Sequence, residues 1–119
     1  MSLKTLAIAL TLAFAAVPAL SEDMPMDMSK SMGNHGPSSR AFAEANAKMH
    51  KDMAIKYSGD ADADFVRGMI PHHSGAIDMA KIELKYGKDP ELRKLAEGII
   101  KAQEAEIAEM NAWLKAHGK

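Results

Sequence analysis

The chain has 119 residues, with 15 Lys plus Arg against 16 Asp plus Glu and a net charge of −1. That length allows one small domain and excludes a dinucleotide fold with a second substrate domain. The balanced charge and few aromatic residues give no footprint for nucleic acid. The absence of cysteine removes disulfides, thiolate zinc sites and thiol nucleophiles together. Ten methionines and five histidines stand out instead.

Residues 1–19 read as a secretory signal. Lys4 supplies a positive start, Leu6 to Val17 is apolar apart from Thr11, and Val17-Pro18-Ala19 is a small-residue cleavage site. The apolar run is shorter than the roughly 20 residues that span a bilayer. The expectation is an exported, periplasmic protein cut near Ala19.

Residues 20–38 form an arm. Pro, Gly and Ser leave no helical or strand period, and Met24, Met26, Met28, Met32 and His35 punctuate polar residues. A disordered Met-rich arm is expected here.

Residues 39–119 form the folded part, with three helices and no strand. The first is expected from Ser39 to Tyr57, capped by Ser38 or Ser39 and stopped by Ser58-Gly59. Its stripe is Phe42, Ala45, Asn46, Met49, Met53 and Tyr57. The second starts near Asp62 or Asp64 and ends at Tyr86-Gly87. Pro71 lies inside it, and a kink or break is expected there. Phe65, Met69, His73, Ala76, Ala80 and Leu84 make its apolar face, flanked by His72 and Met79. The third starts at Asp89-Pro90, with Asp as N-cap and Pro at the first helical position, and runs to about His117.

On the third helix, Leu92, Ala96, Ile99, Met110 and Leu114 share one direction at about 100° per residue. Gln103 and Glu106 lie within about 40° of it. A carboxylate in that position calls for a metal, a histidine or a backbone group to relieve the cost of burying it. The bland alternative is that both side chains flank the core and reach water.

Thioether and imidazole together suit copper. Methionine favours Cu(I), and imidazole accepts Cu(I) or Cu(II). Met49, His50 and Met53 sit on neighbouring turns of the first helix. Met69, His72, His73 and Met79 do so on the second. Asp60 to Pro71 is not a calcium loop, because its sixth position is not Gly and its twelfth is not Glu. No Glu-x-x-His pair for a di-iron bundle, no P-loop and no Gly-x-Ser-x-Gly elbow occurs. The expectation is a binding protein, not an enzyme.

Asp64-Phe65-x-x-x-Met69-Ile70-Pro71-His72-His73-x-x-Ala76-Ile77-x-Met79-Ala80 resembles the signature of an exported, ferritin-like, domain-of-unknown-function family. Ile99-Ile100-x-x-Gln103-x-x-Glu106-Ile107-x-x-Met110-x-x-Trp113-Leu114 is similar to its second signature, and His50-x-x-Met53 to its upstream element. The family includes CopM-type periplasmic copper-binding proteins. The resemblance implies a ferritin-like helical bundle that binds copper through His50, Met53, Met69, His72, His73, Met79 and Met110. Asp64, Gln103 and Glu106 match signature positions without an assigned role, and Met49 is a further candidate.

The combined expectation is a periplasmic copper-binding protein for sequestration, resistance or transfer to a copper transport or efflux partner. A homodimer would complete a four-helix bundle. The arm would capture Cu(I) through Met24, Met26, Met28, Met32 and His35. The alternative is a metal-independent helical interaction domain, with the methionines as an adaptable core or partner surface.

Overall fold

The computed structural model describes residues 34–119. The expected signal segment and Met24, Met26, Met28 and Met32 lie outside the described residues. Three helices follow in order: α1 Pro37–Met53, α2 Ala61–Tyr86 and α3 Pro90–Ala116. No strand occurs among the described residues.

Helix α1 begins two residues before the expected start. Gly36 is its N-cap and Pro37 its first residue, while Ser38 and Ser39 lie inside the first turn. Proline's fixed φ suits that position, and its missing N–H is one of the unsatisfied donors there in any case. The Asn34 side chain accepts from Gly36 N–H at 2.6 Å, shaping the entry.

The helix also ends at Met53, four residues short of Tyr57. Ala54 adopts φ −75°, ψ 62°, and Ile55 N–H donates to the Met53 carbonyl at 2.8 Å. Those angles and that bond define an inverse γ-turn, which stops the helix before Ser58-Gly59 can. Tyr57 is therefore 76% exposed in the connection and not on the α1 stripe.

Asp60, not Asp62 or Asp64, caps α2; its carboxylate accepts from Ala63 N–H at 3.2 Å. Helix α2 runs as one helix through Pro71, so of the expected kink or break the break does not occur. The end at Tyr86-Gly87 matches expectation. The turn into α3 is fixed from both sides. The Asp89 carboxylate accepts from Glu91 and Leu92 N–H at 2.8 and 3.0 Å. The Arg93 guanidinium donates to the Leu84 and Gly87 carbonyls at 2.7 and 3.0 Å, satisfying the C-terminal end of α2.

Helix α2 is the centre. Both other helices pack on it, yet no Cα of α1 lies within 8 Å of an α3 Cα. The core is accordingly thin. Its buried apolar residues are Ala45, Ala63, Val66, Ile77, Ala80 and Ala96, and among the described residues no large side chain is fully buried. Phe65 and Leu92, expected on inner faces, are exposed instead. Their helices bury other arcs: α2 spends one flank on α1 and another on α3, and Phe65 falls between the two.

Candidate functional site

The register of the three helices is set by a few contacts. Gly75 of α2 lies under Met49 of α1, so close that an added Cβ would stand 2.5 Å from the Met49 sulfur. A Cβ added at Gly68 would stand 3.9 Å from Ile55 Cδ1, so the chain just after α1 also passes over α2 there. On the other flank, His73 meets Glu106 of α3. Both flanking helices run antiparallel to α2. At 1.5 Å per residue, Met53 then stands opposite the Ile70–Pro71 level, Gln103 opposite Ala76 and Met110 opposite Met69. Met49, His50, Met53, Met69, His72, His73, Gln103, Glu106 and Met110 thus share one level of the molecule, within about a turn or two along the axis.

His73 is buried, and both its ring nitrogens are engaged. Nδ1 bonds the Met69 carbonyl at 2.9 Å, and Nε2 bonds a Glu106 carboxylate oxygen at 2.5 Å. A carbonyl only accepts, so Nδ1 carries a proton. Glu106 is the partner at Nε2. Of the partners that could relieve a core-facing Glu106, the structure supplies the histidine. Glu106 keeps 54% of its side chain exposed, so water reaches the carboxylate from outside. Gln103 is partly buried.

The remaining candidates differ in placement. His50 and His72 are exposed, whereas Met49, Met53, Met69 and Met110 are partly buried. The His72 and His73 rings meet edge-on, 6.1 Å apart. Phe65, Met69, His72, Ala76, Met79 and Glu83 follow a 4-3-4-3-4 spacing, which is one stripe along α2. This stripe is the seam between α1 and α3, and it stays open: Phe65 is 63% exposed and Met79 45%. Met79 lies about 9 Å up the helix from His73, away from that pair, and lines the upper end of the seam with Phe42, Leu92 and Leu95. His35 is exposed ahead of α1.

Asp64, left without a role by its sequence, ties the α1–α2 connection. Its carboxylate accepts from Ser58 N–H at 2.9 Å, Ser58 Oγ at 2.8 Å and Gly59 N–H at 3.1 Å. The Ser58 bonds, led by its backbone N–H, hold the Asp64 pKa below the ordinary carboxylate value. Gly75 was not singled out by the sequence, although an isolated glycine within a helical apolar pattern is a signal of close packing.

Among the described residues, no three His, Asp or Glu side chains converge. Along the seam the thioethers of Met69 and Met79 alternate with the His72 imidazole and the Glu83 carboxylate.

Fold and site define a small all-helical protein whose central helix carries a histidine–carboxylate pair and an open methionine and histidine seam. The chain belongs to the family described as Domain of unknown function (DUF305), whose model matches residues 16–114. It is also similar to the uncharacterized protein L153 of Acanthamoeba polyphaga mimivirus, at 49% identity over 53 residues. That match covers 44% of this chain and 35% of the viral protein's length.

Proposed function

We propose that this protein binds copper at the seam and serves as an exported, CopM-type copper-binding protein for sequestration, resistance or transfer to a transport or efflux partner. It acts without catalysis. The observation that carries the reading is the shared level of Met53, Met69, His72 and Met110 around the His73–Glu106 pair. Thioether and imidazole donors gathered on one half-open face suit Cu(I). His72 is the accessible imidazole. His73 Nδ1–H donates to the Met69 backbone carbonyl, the arrangement that aims Nε2 of a ligating histidine. In this reading Nε2 would hold copper in place of its bond to Glu106.

The test is an anaerobic Cu(I) titration of the full chain against a competing chelator, with Ag(I) as a redox-silent check. The Met69→Ala, His72→Ala double variant runs beside it, since both side chains lie at the open seam and neither is buried. The expected result is a loss of affinity beyond the roughly 10–100-fold that outer-shell partners alone contribute. Equal binding by both proteins would overturn the seam as the site.

A second reading, a metal-independent helical interaction domain, is favoured by one observation: both ring nitrogens of His73 already have protein partners. It predicts that neither copper nor silver changes the His72 or His73 resonances or the thermal midpoint.

A further inference from the structure

The upper end of the seam is a cleft of about 330 Å³ whose walls come from all three helices. Phe42 of α1, Met79 of α2 and Leu92, Leu95, Ala96 and Ile99 of α3 line it. Met79, Leu92 and Leu95 are among the most exposed large apolar side chains of the described residues, and all three face this one cleft. Contiguous exposed apolar surface on a small domain marks a place where something docks.

We propose that the occupant is the chain's own segment Met24–Met28, laid extended across the cleft. Three observations point to it. The first is where the outside chain enters. Residues 1–33 join the described part at Asn34, three residues before α1, and Phe42 in the second turn of α1 already lines the cleft. Because α1 is antiparallel to α2, this entry lies at the end of the molecule where the cleft opens.

The second is periodicity. Alternate residues of an extended chain share a face, so Met24, Met26 and Met28 point one way and Asp23, Pro25 and Asp27 the other. Pro25 also biases Met24 toward the extended region. The segment therefore has an apolar edge and a polar edge, whereas a solvated tail needs neither.

The third is fit. Met24 to Met28 spans about 13 Å when extended, and the cleft runs about 10 Å along α2 from Ala76 to Glu83. Unbranched thioethers fill irregular apolar hollows well and make favourable contacts with a ring such as Phe42. The family match begins at residue 16, so the segment ahead of α1 is part of the matched domain. The docking needs no metal, and its failure would leave the copper reading standing.

Because the chain has no cysteine, Ser29→Cys gives a single attachment point for a nitroxide in the full chain. The experiment is methyl NMR under metal-free conditions with a chelator present. The expected result is broadening of the Met79, Leu92, Leu95 and Ile99 methyls, with Met110 and Leu114 spared. That broadening should vanish when Met24, Met26 and Met28 are all changed to Ser. No selective broadening would overturn the proposal. So would broadening that survives the triple change, which would hand the cleft to Leu6–Val17 or another segment. A third overturning result is broadening seen only between labelled and unlabelled chains in a mixed sample of doubled mass, which would make the occupant a second copy.

Discussion

His73 and Glu106 show how one pair can satisfy two awkward residues. A histidine in a helical packing face needs partners for both nitrogens, and a carboxylate beside apolar neighbours needs a donor or a proton. The Met69 carbonyl takes Nδ1–H, and Glu106 takes Nε2. Because the Glu106 side chain is half exposed, water replaces part of what a deletion removes. Glu106→Ala should therefore lower stability by about 1 kcal/mol, the ordinary net value of one hydrogen bond. Glu106→Gln, which keeps hydrogen-bonding capacity, should lose less. Urea unfolding of the two variants distinguishes these outcomes, and an alanine variant as stable as the parent would show that the bond contributes nothing. The core-facing direction of Glu106 was legible from helical angles along α3, and so was His73 on the packing face of α2. Their pairing was not legible, because it depends on how far α3 slides along α2. That register is a tertiary quantity with no local period.

At the scale of elements, the helix count, the Asp89-Pro90 start of α3 and the end of α2 were legible because capping and N1 chemistry are local. The end of α1 was missed for a physical reason: Ala54 and Ile55 carry no breaker signature, so nothing local announces the γ-turn there. Two glycines inside helices have opposite consequences. At Gly75 a Cβ would meet the Met49 sulfur at 2.5 Å and its Cγ at 2.7 Å, so α1 or Met49 must shift. Gly75→Ala should destabilise by roughly 1–3 kcal/mol despite its better helix propensity, and Met49→Ala in the same chain should recover much of that loss. At Gly98 an added Cβ meets nothing within 4 Å. Gly98→Ala should stabilise α3 by roughly 0.5–1 kcal/mol. Thermal or urea unfolding reads both signs at once.

The α1–α2 connection also sets a pH dependence. The Lys119 ammonium, 2.7 Å away, leads the lowering of the Asp60 pKa, and Ala63 N–H adds to it. Asp64 is lowered by Ser58 and Gly59. Both folded values lie below the ordinary 3.8, so the unfolded chain takes up protons first as pH falls. Their contribution is complete above that value, declines as pH drops through it and disappears below the folded values. The thermal midpoint should fall on acidification through this window, and Asp64→Asn should flatten the fall. An identical acid limb in the variant would remove Asp64 from the account.

For the whole molecule, the decisive fact is that α1 and α3 each hold α2 but not each other. Helix α1 buries one residue, Ala45, and makes its close approach to α2 where Met49 lies over Gly75. The α2–α3 hairpin has the short turn, the Asp89 and Arg93 caps and the His73–Glu106 bond. Resistance to opening follows buried contact and local hydrogen bonding, so the two parts should not open together. Native-state hydrogen exchange should show α1 amides exchanging through a sub-global opening of lower free energy than that of the α2 amides flanking His73. Gly75→Ala should deepen the difference, because it loosens the α1 contact and leaves the hairpin intact. Equal opening free energies in α1 and α2 would mean that some further contact bridges α1 to α3.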